Sequence, residues 1–216
     1  MTTEAPATRR PRSDAERNRR RILDAASRVF AAHGPAATLS DVAAEAGVGI
    51  GTIYRKFPDK AALLDALFDD KIGAVMAVLD AASAIAHPGE AFRDYLSGMI
   101  ELHARDRSLA TVLFGPDRFD RFPADVSDRL SAGADALIRD AVAAGEVREG
   151  FTRQDTIALG VMVGTLAVAS RDSGLELWRR YASIVVAGTR PSASPAPLLP
   201  QPLGFREMAE SLSRVL

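Results

Sequence analysis

The sequence predicts an all-α fold of about nine or ten helices. Apolar residues recur every three or four positions along most of the 216-residue chain, which is the period of an amphipathic helix. Glycine and proline pairs interrupt this period between the segments, as at Gly34 with Pro35 and Gly115 with Pro116. No segment shows the apolar–polar alternation of a half-buried strand. The order of helices and breaks therefore defines the predicted architecture.

The composition indicates a soluble globular chain in a reducing compartment. Apolar residues make up 47% of the chain and charged residues 25%, which is ordinary for such proteins. Cysteine is absent, so disulfides and thiolate metal sites are excluded. The N-terminus lacks the apolar core of a secretory signal, and the longest apolar stretch, residues 157–169, is about half of the ~20 residues that a membrane span needs. We expect a cytoplasmic location.

The charge is unevenly distributed. Residues 1–60 carry eleven basic and seven acidic side chains, a net charge of +4, whereas the whole chain carries −1. A basic N-terminal part on an acidic body fits a polyanionic partner at one end. Residues 1–16 are rich in Pro, Thr and Arg without periodicity, so we expect a disordered basic arm.

The first helices have the form of a helix-turn-helix. A helix begins near Arg17 and ends at Gly34, and the next opens at Thr38 with Asp41 as its capping partner. Gly47 ends that helix after two turns, and a second short helix follows over residues 50–57. In this last helix Ile53 and Phe57 can pack inward, which leaves the remaining side chains to face outward or sideways.

The segment from Thr38 to Lys60, TLSDVAAEAGVGIGTIYRKFPDK, resembles the DNA-binding signature of the tetracycline-repressor-like (TetR) family. The resemblance covers about residues 17–68. It implies a three-helix DNA-binding domain, a larger helical ligand-binding and dimerisation domain, and a homodimeric repressor that a small ligand releases from a palindromic operator. Two positions depart from the common pattern, because Gly49 stands where Ser or Thr usually caps the helix and Lys56 replaces a frequent His.

The resemblance also implies contacts for individual residues. The positions expected to face DNA bases are Ile50, Gly51, Thr52 and Arg55. Those expected to bind phosphates are Thr38, Tyr54, Lys56 and Lys60, and the basic first helix adds Arg19 and Arg20. An arginine such as Arg55 can form two hydrogen bonds to a guanine edge, worth ~1–3 kcal/mol of base discrimination.

The rest of the chain is predicted as six or seven further helices. The apolar pattern places them at about residues 60–85, 92–103, 109–114, 124–144, 153–170, 175–188 and 205–216. The predicted domains are residues 17–60 for DNA binding, 61–188 for ligand binding and dimerisation, and 189–216 for a Pro-rich tail. The last helix could dock on the body, or the tail could be disordered.

The family resemblance implies a ligand pocket and a subunit interface in the second domain. A largely apolar or aromatic effector is expected, with these candidate contacts: Phe92, Tyr95, Met99, His103, Leu113, Phe114, Phe119, Phe122 and Met162. Residues 153–170 and 175–188 are expected to pair with a second subunit, with these candidate contacts: Leu159, Val163, Ala167, Trp178, Tyr181 and Val185.

Two alternatives to a ligand-controlled regulator remain. An enzyme is disfavoured because the three histidines are far apart and no catalytic motif spacing occurs, so we expect no catalytic site, metal or cofactor. The second alternative keeps DNA binding but makes the helical body a protein-interaction module without a small effector. A filled interior would favour that module, and a cavity of roughly a few hundred cubic ångströms would favour a ligand sensor.

Overall fold

The protein is all-α, as predicted. The computed structural model describes residues 11–106, 108–114, 123–171, 176–193 and 196–213, and these contain ten α-helices and no strand. The helices are α1 (Pro11–His33), α2 (Leu39–Ala46), α3 (Ile50–Lys56), α4 (Lys60–Ser83), α5 (Pro88–Arg105), α6 (Ser108–Phe114), α7 (Ala124–Ala143), α8 (Arg153–Ala169), α9 (Leu177–Gly188) and α10 (Phe205–Ser213). None of these helices is long and apolar enough to cross a membrane.

The chain divides into two compact units, residues 1–67 and residues 68–216. The first contains α1 to α3 and the first two turns of α4, and the second contains the remaining helices. Helix α4 therefore belongs to both units.

Helix α1 begins at Pro11, so the prediction of a disordered arm through residue 16 is wrong for residues 11–16. Proline suits the first turn of a helix because its missing N–H has no partner there. Asp14 in this turn interacts favourably with the helix dipole and forms an ion pair with Arg17. Residues 1–10 lie outside the described residues.

The helix-turn-helix forms with the helix ends that its capping residues and glycines predict. The Thr38 hydroxyl accepts from the Asp41 amide at 3.2 Å, and the Asp41 carboxylate accepts from the Thr38 amide at 2.9 Å, which completes a capping box. Gly47 ends α2 in the left-handed region at φ 61°, where glycine is favoured. Gly49 is the N-cap of α3 and contributes no side-chain bond. The core of this unit is built from Ile22, Phe30, Val42, Ile53, Phe57 and Leu63, all buried.

The second unit is organised around the contact between α5 and α8, the most extensive pairing of helices in it. A Cβ added at Gly164 would lie 2.9 Å from the carbonyl oxygen of His103, and one added at Gly160 would lie 2.9 Å from His103 Nδ1. The two glycines thus permit α8 to approach α5 more closely than any other residue would. A capping box between Thr152 and Asp155 starts α8.

A partly buried ion pair fixes the corner between α5 and α6. Lys71 of α4 is almost fully buried and pairs with Asp106, the residue that ends α5. The same carboxylate accepts from the Ser108 amide at 3.0 Å and from the Ser108 hydroxyl at 2.8 Å. One aspartate therefore holds three elements together.

The C-terminal helix is docked. Helix α10 packs against α6, and its Met208 and Ala209 are buried. The segment before it is anchored where Arg148 donates to the Ala196 carbonyl at 2.7 Å. Of the two possibilities for the tail, the described residues support docking.

Candidate nucleic-acid interface and ligand cavity

Helix α3 has an apolar anchor on one side and an accessible mixed face on the other. Ile53 is fully buried and Phe57, just after the helix, is nearly so. On the opposite side Ile50 and Tyr54 are 40% and 53% exposed, and Arg55 is exposed as well. Arg55 makes no ion pair within the part of the chain that the structure describes. The face can therefore approach a groove of DNA without disturbing the core.

An open groove runs between α1 and α3, and most of its charged side chains are basic. Its arginines are Arg17, Arg20, Arg21 and Arg55. Arg20 lies 3.3 Å from Asp24, and Arg17 pairs with Asp14, but all four of these paired side chains are at least half exposed. Exposed pairs of this kind contribute little stability, so a phosphate can replace the carboxylate at small cost.

Two further cations are positioned over aromatic rings. The Arg19 guanidinium lies 5.7 Å from the centre of the Phe57 ring, and Lys60 Nζ lies 5.5 Å from the centre of the Phe30 ring. Contact with a ring limits the orientations of a long side chain without removing its charge. Both cations are thereby held at the edges of the three-helix core.

Thr38 and Asp41 form a charged cap at the start of α2. The Thr38 hydroxyl donates to Asp41 Oδ2 at 2.7 Å. Hydrogen bonds from the Thr38 side chain and backbone lower the pKa of Asp41, and the charge of His33 adds to the effect. Asp41 therefore stays ionised, and a phosphate would have to compete with it for the Thr38 hydroxyl.

The second unit contains a small, partly open cavity of about 80 Å³. Its walls are mainly apolar and come from six helices: Ile72, Val75 and Leu79 of α4; Tyr95, Met99 and His103 of α5; Leu113 and Phe114 of α6; Leu130, Ser131 and Ala134 of α7; Arg153 and Ile157 of α8; Phe205 of α10. This volume holds a few water molecules and is below the ~300–1,000 Å³ of typical ligand sites. A ligand larger than a few atoms would therefore have to extend beyond this space or displace part of the wall.

The cavity wall contains three ionisable side chains. Burial lowers the pKa of His103, against the opposing effects of its bond to the Met99 carbonyl and of the Asp106 charge, so the imidazole is neutral at pH 7. Burial and, to a smaller extent, the charge of Asp135 raise the pKa of Tyr95 to about 12, against the opposing effect of Arg153. Arg153 pairs with Asp135. Arg153 is therefore the one charged group that the described wall presents.

The outer faces of α8 and α9 expose large apolar side chains. Met162 of α8 is 64% exposed, and Ile184 of α9 is 56% exposed. Leu177 and Tyr181 lie on the same side of α9 as Ile184, at helical spacing, and are also exposed. Clustered exposed apolar residues of this kind commonly mark an interaction surface.

Comparison with known proteins identifies the family. Residues 22–67 match the model of the bacterial regulatory proteins of the tetR family, and residues 87–191 match the C-terminal domain of SbtR-like transcriptional regulators. The crystal structure of the TetR transcriptional regulator SCO0520 from Streptomyces coelicolor is 30% identical, covers 81% of this chain and 99% of its own, and has a TM-score of 0.54. The chain belongs to the TetR family.

Other relatives are similar to a short part of the chain in sequence or to most of it in fold. The HTH-type transcriptional repressor LfrR of Mycolicibacterium smegmatis is 56% identical over 52 residues, which are 24% of this chain and 27% of LfrR. The chain thus spans about a quarter of that curated relative. The regulator FadR of Bacillus subtilis, solved in complex with stearoyl-CoA, is 24% identical with a TM-score of 0.54, covers 78% of this chain and 95% of its own, and is similar in fold.

The four residues predicted to face DNA bases all lie within α3. Gly51 and Arg55 are exposed, and Thr52 and Lys56 are half-buried at its sides. The groove brings Arg20 of α1 to the same side as Thr52 and Arg55. The individual contacts to bases and phosphates stay predictions.

The predicted ligand residues fall into three groups. Tyr95, Met99, His103, Leu113 and Phe114 line the cavity. Two others do not. Phe92 is buried in the core, where its ring packs edge-on against Phe151 at 5.3 Å, and Met162 faces outward. Phe119 and Phe122 lie outside the described residues.

Sequence reasoning missed the cavity residues of α4, α7, α8 and α10. The apolar stripe Ile72, Val75 and Leu79 is visible in the sequence, but periodicity does not say whether a stripe meets a cavity or a filled core. Arg153 follows the cap of α8 and carries no sequence signal for a cavity.

The predicted subunit contacts of α8 and α9 need correction. Val163, Ala167 and Trp178 are buried in the core of the single chain, against α5 and α7, and are not available to a partner. Leu159 and Val185 pack against this core and are partly buried, whereas Tyr181 is exposed. When a helix is apolar on all sides, both of its faces are suited to burial. The sequence does not show which face packs against the same chain and which face is left for a partner.

Proposed function

We propose that this TetR-family regulator is a homodimeric repressor that binds a palindromic operator and is released from it by a small, largely apolar effector. The observation that carries the proposal is the exposed mixed face of α3, anchored from behind by Ile53 and Phe57. That combination of rigid support and accessible polar side chains suits a helix that enters the major groove.

The roles of the α3 residues follow from their chemistry. Arg55 reads a guanine through two hydrogen bonds, and Ile50 contacts a thymine methyl. Gly51 has no atom within 4 Å of an added Cβ, so its glycine serves close approach to DNA and not internal packing. Lys56, Lys60, Arg19 and Arg20 bind phosphates, which sets orientation and makes affinity dependent on salt.

Dimerisation uses the exposed apolar side chains of α8 and α9, which are Met162 on the first and Leu177, Tyr181 and Ile184 on the second. Covering these side chains in a symmetric interface removes apolar surface from water. One α3 helix reads only a few base pairs, and a two-fold pair reads two half-sites about 34 Å apart.

The effector acts through the cavity and α4. The chain of α4 begins in the DNA-binding unit at Lys60 and ends past Leu79, which lines the cavity. A ligand that binds one arrangement of the cavity wall more tightly shifts the population of α4 positions, and so changes the fit of the two α3 helices to the operator.

The small volume of the cavity favours a second candidate. A body with no small effector, controlled by a protein partner, would need no larger space than about 80 Å³. Control by a small effector would be supported if apolar compounds release the protein from the operator at the same concentrations at which they shift its thermal stability. Control by a protein partner would be supported if the protein binds the operator tightly and no apolar compound releases it.

The experiment for DNA reading is selection from a pool of random duplexes at fixed salt, with sequencing of the bound fraction. A palindromic motif with two half-sites supports the proposal. Uniform, salt-sensitive binding without a motif contradicts it.

The experiment for dimerisation is sedimentation of Ile184→Glu, with Ala143→Glu on the exposed side of α7 as matched control. Ile184→Glu should shift the protein to monomers and weaken operator binding, and the control should do neither. Dimers that persist at equal strength in Ile184→Glu would place the interface elsewhere.

A further inference from the structure

The His103 imidazole is held in one tautomer. His103 is only 5% exposed, and its Nδ1 lies 3.0 Å from the Met99 carbonyl oxygen. A carbonyl can only accept, and the imidazole is neutral because burial lowers its pKa, so Nδ1 carries the proton and donates. Nε2 is left as an acceptor with a bare lone pair.

This acceptor has no donor. Nε2 is buried and makes no hydrogen bond to any residue that the structure describes. Buried polar atoms without a partner are rare and destabilising, and a leucine or phenylalanine could fill the same space without that cost. Gly160 makes room for the imidazole ring itself, because an added Cβ there would lie 2.9 Å from His103 Nδ1. The imidazole is thus a polar group placed, at a cost, in the wall of an apolar cavity.

We propose that the effector is an apolar molecule that carries a hydrogen-bond donor, a phenolic or alcoholic hydroxyl, which donates to His103 Nε2. This inference rests on the proposed effector control and specifies the chemistry of that site. The remaining wall supplies apolar contacts, and Arg153 Nε, which also lacks a partner among the described residues, can donate to an oxygen of the same ligand. A carboxylate or an ether has no proton to offer and would meet the lone pair unfavourably.

The test compares 4-propylphenol with propylbenzene, 4-propylanisole and 4-propylbenzoate, which share one apolar body. Binding is measured by calorimetry to the full chain, to His103→Leu and to Leu113→Met, a matched control that changes the wall without changing its polarity. The phenol should bind about 5- to 150-fold more tightly than propylbenzene to the unaltered chain and to the control. In His103→Leu the two should agree within about threefold, with propylbenzene binding retained.

The inference would be overturned if 4-propylphenol and propylbenzene bound equally well, or if the benzoate were preferred. It would also be overturned if the preference for the phenol survived in His103→Leu, or if none of the four compounds bound. Operator binding measured in parallel separates this failure from that of the proposed function. If propylbenzene releases the operator as well as the phenol does, effector control stands and only the donor is wrong. If no operator is bound, the proposed function fails.

A separate observation concerns α10. Its first residue, Phe205, is part of the cavity wall and packs edge-on against Phe114 of α6, with ring centres 6.2 Å apart. Helix α10 lies beyond residue 191, where the second matched family segment ends. The cavity it helps to close is too small for a typical ligand.

The geometry points to α10 as a tethered cover of the cavity. The helix detaches from the other helices of the second unit as one piece, and a ligand can then occupy the space that Phe205 fills. The tether is the Pro-rich segment, which Arg148 holds at the Ala196 carbonyl. Because α10 is short and attached mainly to α6, it should open well before the rest of the second unit unfolds.

The absence of native cysteine allows a direct test by thiol labelling of single-cysteine variants. Ala209→Cys reports on the buried side of α10, Ala141→Cys on the central core, and Leu203→Cys on an exposed position of the tether. Ala209→Cys should label more slowly than Leu203→Cys and at least about 100-fold faster than Ala141→Cys. Equal rates at positions 209 and 141 would show that α10 opens only with the whole unit and would overturn the inference, as would equal rates at positions 209 and 203.

Discussion

Replacement of Gly164 by alanine tests the close packing of α8 on α5. The new Cβ would lie 2.9 Å from the His103 carbonyl oxygen and 3.1 Å from its carbonyl carbon, which belong to the backbone of α5 and cannot rotate away. One of the two helices must therefore shift. Overpacking of this kind costs ~1–3 kcal/mol.

Alanine also favours the helix over glycine, by roughly 0.8–1.0 kcal/mol, and this gain must be separated from the clash. Gly73 in α4 provides the matched control, because an added Cβ there meets nothing within 4 Å. Gly73→Ala should stabilise the protein by about 1 kcal/mol. The propensity gain cancels between the two variants, so Gly164→Ala should be ~1–3 kcal/mol less stable than Gly73→Ala.

Urea denaturation followed by circular dichroism gives this difference as a shift in midpoint at constant slope. In thermal melts it corresponds to about 2–4 °C for each kcal/mol in a chain of this size. A Gly164→Ala protein as stable as Gly73→Ala would refute the close approach of α5 and α8.

Two other predictions concern buried charge. Lys71→Met keeps the apolar stem of the side chain but removes the cation that pairs with the partly exposed Asp106. We expect the free energy of unfolding, measured by urea denaturation, to fall by ~1–3 kcal/mol. A fall of less than about 0.5 kcal/mol would mean that the pair is not formed. Because the pKa of His103 is lowered in the folded chain, the unfolded chain binds more protons as the pH falls through 6.5, and the stability from this residue is lost in that direction. His103→Gln should lose less stability than the unaltered chain on this acidification, and identical pH profiles would contradict a neutral buried imidazole.

The elements that the sequence predicts well are those with local signals. Thr38 with Asp41 marks the start of α2 and Gly47 marks its end, through bonds to backbone groups a few residues away, and the structure contains both. The inward packing of Ile53 and Phe57 follows from their spacing on one short helix. Such features depend on neighbours along the chain and so can be read from it.

What the sequence leaves open depends on contacts between distant segments. Trp178 and Ile184 lie on the same apolar helix, yet one enters the core and the other faces outward, because the position of α5 decides which side is covered. Phe92 and Tyr95 are three residues apart, but Phe151 fills the space beside the first whereas the second borders the cavity. The docking of Phe205 on Phe114 joins segments about ninety residues apart in sequence and has no local signal.

The most direct test of the account is whether Arg55 of α3 reads DNA sequence. Affinities of the unaltered chain and of Arg55→Ala are measured for the selected operator and for a scrambled duplex, each at two salt concentrations. We expect Arg55→Ala to lose ~1–3 kcal/mol, roughly 5- to 150-fold, of the preference for the operator, while its binding to the scrambled duplex changes little. An unchanged preference, or an equal loss on both duplexes, would contradict the assignment of α3 as the helix that reads bases.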